Sequence, residues 1–234
     1  MVTIFLSKIQ MALKPEHLDF KREIKERGIE HLVHFTPTIN LLSMFEQGKV
    51  MSRALLEEFD IGDTLDFIEF LDSIRFDDKN YINLSISSPN SFLFNRFRER
   101  TQAMSHMNWC VLKIDTKYIY QNDTLFSVTN AANNHNKRVV GVTGDLEKFR
   151  MLFSPNVKVV TSYNSRTIQR QNLKAKYPTD EQAEVLVRDE IPIKDIMQVC
   201  FYDESELASA KAALNQYDTG NFVVDQSMFV KSRM

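Results

Sequence analysis

Three polar groups sit where apolar residues are expected. Glu184 opens the apolar run E184-V-L-V and is reached through Y177-P-T-D-E-Q-A, which also carries Glu181 and Gln182. A carboxylate held on the first residue of a strand, behind a polar loop, can take a proton or stabilise a developing cation. The plainer alternative is a surface carboxylate on an edge strand. His34 lies inside V33-H-F-T-P, where it reads either as a site imidazole or as a core histidine bonded to a backbone carbonyl. In I82-N-L-S-I-S, alternation puts Ser85 and Ser87 on one face and Leu84 and Ile86 on the other. Buried hydroxyls need partners, and a polar ligand can supply one. His31 and His34, three apart on a strand, would face opposite ways, so no metal is expected between them.

Other chemistries find no support. Neither G-x-G-x-x-G nor G-x-x-x-x-G-K occurs, and G-V-T-G from residue 141 is too weak to count as a phosphate loop. Cys110 and Cys200 each lie in an apolar run, N-W-C-V-L and M-Q-V-C-F, which is the pattern of buried free thiols. Two cysteines are too few for a zinc site by themselves.

The elements that must position these groups follow from periodicity. The chain has 234 residues, 43% hydrophobic and 26% charged, which suits one soluble domain spanning 1–234. The opening M-V-T-I-F-L-S lacks a basic segment and no run of about 18 apolar residues occurs. A cytoplasmic location with no membrane contact is the expectation. Strands are predicted over residues 2–7, 32–36, 82–87, 108–115, 184–187 and 196–202. Helices are predicted over 15–27, 40–47, 53–75 (broken near Gly62-Asp63), 145–153 and 204–216, with Thr38 capping the second. Residues 129–144 read as a polar loop. The sum is an α+β domain. Residues 154–183 read as mostly irregular, and a loop of that length inside a compact domain tends to be functional.

Net charge is −2, yet charge is unevenly placed. Residues 57–78 hold nine acids against Arg75 alone, and residues 148–176 hold seven basic residues and no acid. Both can be plain solvated faces. The basic segment also carries Tyr163 and is followed by Tyr177. Cations for phosphates interleaved with rings for stacking suit a single-stranded nucleic acid.

Taken in order, the His strand, the Ser-rich strand and the Gln-x-Glu strand resemble the three strand motifs of the ADP-ribosyltransferases. More narrowly, residues 28 to 202 are similar to the DarT family, toxins that attach ADP-ribose to bases of single-stranded DNA. The resemblance rests on I29-E-H-L-V-H-F-T-P-T-I-N-L-L-S-M-F-E-Q-G-K-V-M-S-R, N83-L-S-I-S-S-P-N, D123-T-L-F-S-V-T-N-A-A-N and Y177-P-T-D-E-Q-A-E-V-L-V. The second and fourth look closer to the branch that modifies guanine than to the thymidine branch.

The resemblance implies a split central β-sheet with flanking helices, NAD+ as substrate and no metal. Glu184 matches the catalytic glutamate. His34 matches the histidine that holds a ribose and the amide of NAD, with Phe35 and Thr36 lining the same pocket. Asn40 matches an asparagine near the cofactor, and Ser85 the serine under the nicotinamide. Arg53 is the expected guanidinium on the diphosphate and a catalytic candidate; Arg75 is its rival. Arg166, Arg170, Tyr177 and Gln182 would meet the nucleic acid. The same resemblance implies a toxin of a toxin–antitoxin or phage-defence system, with an antitoxin protein as partner, for which the acidic segment 57–78 is a candidate dock. DNA is favoured over RNA as acceptor; the alternatives are the same chemistry on RNA, or a non-catalytic nucleic-acid-binding or partner-binding module.

Overall fold

The computed structural model describes residues 12–59, 78–104, 107–161 and 163–230. The expected strand over residues 2–7, the break near Gly62, Arg75 and nearly all of the acidic segment lie outside the described residues.

Helix α1 (His17–Arg27) buries Phe20 and Ile24 and stops at Gly28, whose φ of 66° is left-handed. Strand β1 (Leu32–Pro37) leads into α2 (Asn40–Gln47), which Gly48 ends in the same way. Thr38 does not cap α2 through its side chain; its hydroxyl bonds the Asn108 carbonyl, and the cap position falls on Ile39. Next come β2 (Lys49–Met51), α3 (Arg53–Glu58), β3 (Tyr81–Ile86), α4 (Ser91–Thr101) and β4 (Trp109–Ile114). Strand β5 (Leu125–Ser127), a π-helical turn (Asn136–Val140) and α5 (Leu146–Met151) follow.

Residues 154–183 lie mostly outside regular structure, as expected, with one exception. They contain a hairpin, β6 (Asn156–Val160) against β7 (Ser165–Gln169), registered from Asn156↔Gln169 to Val160↔Ser165. Val157 and Val159 alternate inward from β6, but β7 sends only Ile168 to the core and exposes its other four residues, so its sequence carries little strand periodicity. The chain then reaches β8 (Glu184–Arg188), β9 (Glu190–Pro192), β10 (Ile196–Phe201), α6 (Glu204–Ala213) and a short β11 (Phe222–Val224) that the sequence did not flag.

Seven strands form the central sheet in the order β11-β10-β4-β1-β3-β8-β5. Only β10 and β11 pair in parallel; the rest are antiparallel. Apolar residues cover both faces. One face carries the main core around Phe20, Leu84, Leu112, Phe126, Phe149 and Val185. The other carries a smaller cluster of Val33, Leu93, Phe94, Phe97, Trp109 and Val111. Cys110 and Cys200 are free and buried within the sheet.

The sheet is split. Strand β1 pairs with β4 along its whole length, Leu32 to Pro37. On its other side it pairs with β3 only at Leu32↔Ile86 and Val33↔Ser85. From His34 onward the two strands diverge and the ladder gives way to a cleft.

Candidate active site

The cleft between β1 and β3 holds a cavity of about 260 Å³. His34, Phe35, Thr36 and Pro37 come to its wall from β1, and Asn40 from the first turn of α2. Arg53 comes from α3, Asn83 and Ser85 from β3, Leu93 and Phe97 from α4, and Glu184 from β8. The structure thus gathers Glu184, Arg53, His34, Phe35, Thr36, Asn40 and Ser85 around one space, although the chain separates them by up to 150 positions.

Glu184 is 4% exposed, and its strand lies between β3 and β5 rather than at an edge, so the surface-carboxylate alternative fails. Its Oε2 accepts a 2.7 Å hydrogen bond from the Ala131 N–H. Ala131 belongs to a loop, residues 129–134, whose Asn130, Ala131 and Ala132 also line the cavity. The loop falls within D123-T-L-F-S-V-T-N-A-A-N, but its part could not be assigned from residue types, because its contribution is a backbone donor and a buried alanine methyl. One step beyond the last registered β3–β8 pair, Leu84↔Val185, the ladder would set Ser85 opposite Glu184.

His34 stands at the split. Its Nδ1 lies 3.2 Å from the Asn83 carbonyl. A carbonyl only accepts, so Nδ1 carries the proton and Nε2 is the acceptor of the ring. Burial lowers the imidazole from its ordinary value, and the Asn83 hydrogen bond opposes this in part. His34 is therefore both the core-type histidine on a backbone carbonyl and a wall of the cavity.

Thr36 and Asn40 are buried and bonded to each other, Asn40 Nδ2 donating to Thr36 Oγ1 at 3.0 Å. Phe35 stacks on Phe94 with ring centroids 4.6 Å apart and meets Phe97 and Trp109, giving the cavity one aromatic side. Arg53 follows Ser52, whose hydroxyl caps α3 at the Leu55 N–H. Its Nε lies 3.3 Å from Glu57 Oε1. Lys79 bonds the same oxygen and, with Arg53, holds the Glu57 carboxyl below its ordinary value.

The residues expected to meet nucleic acid divide. Arg166 and Gln182 share a second cavity of about 250 Å³ with Thr129, Asn130, Asn133, Val159, Thr161 and Asn164. Asn130 lines both cavities, so the 129–134 loop is the wall between them. Tyr163, at the tip of the hairpin, is fully exposed. Arg170 is differently employed: its guanidinium donates to the carbonyls of Lys174, Ala175 and Tyr177 and to Thr179 Oγ1, and lies over the Phe153 ring. These bonds brace the approach to β8. Tyr177, half-buried, lines neither cavity.

Among the described residues, no cluster of His, Cys, Asp and Glu is placed to hold a metal ion, and no helix is long and apolar enough to cross a membrane.

The family model for ssDNA thymidine ADP-ribosyltransferase, DarT, matches residues 33–230. No curated protein matches the chain. Among solved structures, the fold is similar to that of a Thermosipho africanus DarTG in complex with ADP-ribose, at 15% identity and a TM-score of 0.53, over 86% of this chain and 51% of that one. The chain therefore spans about half the length of that relative. It is also similar to a Thermus sp. 2.9 DarT in complex with carba-NAD+, at 11% identity and a TM-score of 0.52, over 85% of this chain and 97% of that one. The same Thermus protein in complex with ADP-ribosylated ssDNA gives 10% identity and a TM-score of 0.51, over 87% and 97%.

Proposed function

Because the chain belongs to the DarT family of ADP-ribosyltransferases, we propose that it transfers ADP-ribose from NAD+ to a base of single-stranded DNA, with guanine as that base, and that it acts as the toxin of a toxin–antitoxin pair. The observation that carries the transfer is the placing of Glu184. It is a buried carboxylate at the split of the sheet, held by the Ala131 N–H, on a wall shared with a second cavity that contains Arg166 and Gln182.

The chain's own groups suit each part of NAD+. Arg53 offers a guanidinium to the diphosphate. His34 Nε2, with Nδ1 fixed on Asn83, accepts from a ribose hydroxyl. Phe35, Phe97 and Leu93 supply an apolar side for a flat ring, and Ser85 lies beside Glu184 at the nicotinamide end. The C1′–N bond breaks and nicotinamide leaves with the electron pair. The cation that develops on the ribose is stabilised by the Glu184 carboxylate through the 2′-hydroxyl. The base nitrogen then bonds to C1′, and its proton passes to Glu184. A paired base cannot present that nitrogen, so single-stranded DNA costs least.

Guanine rests on the forms N83-L-S-I-S-S-P-N and Y177-P-T-D-E-Q-A-E, and the antitoxin on the relationship to a DarTG. The test is a set of single-stranded oligonucleotides, each with one guanine or one thymine in an otherwise unreactive sequence, incubated with NAD+ and fragmented in a mass spectrometer. Label on guanine alone supports the proposal. Label on thymine alone keeps the reaction and overturns the base, and label on RNA in preference to DNA overturns the acceptor.

A further inference from the structure

Asn130 and Asn133 on the wall between the two cavities, and Asn136 just after it, are spaced by three, and each side chain does a different task. Asn130 Oδ1 accepts from the Ala132 N–H at 2.8 Å and shapes the turn. Asn136 Nδ2 donates to Ser127 Oγ at 2.7 Å, and Ser127 Oγ donates to the Thr129 carbonyl at 2.6 Å. Ser127 is the register partner of Glu184. Ser127, Thr129 and Asn136 are each no more than 2% exposed, so this end of the wall is fixed in the core next to the carboxylate.

Asn133 reaches the other way. Its Nδ2 donates 2.9 Å to the Val160 carbonyl, at the end of β6, and its Oδ1 accepts from the Asn136 N–H at 2.8 Å. One amide thus joins the wall to the hairpin that carries Arg166. It also lines the second cavity and is half-buried, which makes this anchor easier to release than the Ser127 end. Asn136 begins a π-helical turn, a form that occurs mostly as single turns and is frequent at functional sites.

We propose that Asn133 is a positioning residue that ties the wall bearing the Ala131 N–H to the Arg166 hairpin, so that the hairpin which meets the acceptor also holds the catalytic carboxylate. This rests on the transfer reaction proposed above. A loosened wall opens the Glu184 side to water. Water then takes the place of the base: its oxygen bonds to C1′ as the C1′–N bond breaks, nicotinamide leaves with the electron pair, and one proton is released. The products are ADP-ribose, nicotinamide and H+.

Asn133→Asp tests this with little change of shape. It keeps an oxygen for the Asn136 N–H but turns a second oxygen, in place of the donor, toward the Val160 carbonyl. Asn133→Ser serves as the second variant should the aspartate disturb folding. Two readouts are needed. Hydrogen exchange should quicken about tenfold in both 129–134 and the hairpin, the effect of losing one hydrogen bond, with β4 and β8 unchanged. The ratio of labelled DNA to free ADP-ribose should fall by a similar factor, with carba-NAD+ affinity unchanged. Unchanged exchange in either segment overturns the proposal, as does an equal fall of transfer and hydrolysis, the mark of a merely structural part. A wild-type protein that makes neither product would instead overturn the proposed function, and the exchange result would still decide the role of Asn133.

Discussion

Replacing Glu184 by Gln removes a charge and little else. The amide keeps the volume and keeps an oxygen for the Ala131 N–H now bonded at 2.7 Å. A carboxylate about 4 Å from a developing unit cation, at an effective dielectric of about 20, is worth about 4 kcal/mol. That corresponds to a rate factor on the order of 10³, in line with the roughly 10²–10³ lost when one preorganised electrostatic partner is removed from an active site. Glu184→Gln should therefore slow transfer about a thousandfold with its melting temperature and carba-NAD+ affinity close to wild type. Glu184→Ala should lose the same rate and also leave the buried Ala131 N–H without its acceptor, a cost of about 1–3 kcal/mol. At roughly 2–4 °C per kcal/mol for a chain of this size, the alanine variant should melt several degrees lower. Single-turnover transfer to an oligonucleotide, calorimetric titration with carba-NAD+ and thermal melts separate these terms. A glutamine variant that transfers within about threefold of wild type would refute the electrostatic role.

Four further outcomes follow from the same geometry. Burial holds His34 and His31 below the ordinary imidazole value of 6.5, so the unfolded chain takes up protons first as pH falls. Stability should be full above about pH 6.5 and decline below it, by up to about 1.4 kcal/mol per pH unit for each group; urea midpoints at pH 7.5 and 5.5 measure this, and His34→Asn should flatten only part of it. Cys200 is pushed up to about 11 by burial and Cys110 is raised further for the same reason, so neither thiol should react with iodoacetamide at pH 8 until the chain is unfolded. Arg166→Ala should leave the melting temperature unchanged, weaken binding to single-stranded DNA and lower its salt slope by about one. Arg170→Ala should instead lower the melting temperature, because four acceptors on the way to β8 lose their donor.

The most legible part of the site is the part carried on the apolar strands of the central sheet. His34, Ser85 and Glu184 each interrupt an apolar alternation, and that interruption is a local signal of a polar group held against a sheet. Arg53 and Asn40 were placed by their position after a motif, and both reach the same cavity. What was not legible is made by backbone or by distance. The Ala131 N–H that holds Glu184 has no side-chain signature, and the second cavity draws on residues from Thr129 to Gln182 that come together only once the sheet is built. The hairpin is hard to read because β7, S165-R-T-I-Q, sets one apolar residue, Ile168, among four exposed polar ones. The carbonyls that surround Arg170 are not legible either, because composition gives a guanidinium's charge and not its partners. Thr38 had the residue type of a cap but spends its hydroxyl on Asn108.

The most direct measurement is the intact mass of a mixed-sequence single-stranded DNA incubated with the protein and NAD+, beside the same strand with Glu184→Gln. The expected result is a gain of one ADP-ribose per modified base with the wild-type protein, and none on the same timescale with the variant. Unmodified DNA from wild-type protein that binds carba-NAD+ would contradict the transfer of ADP-ribose to DNA, and equal labelling by both proteins would contradict the part assigned to Glu184.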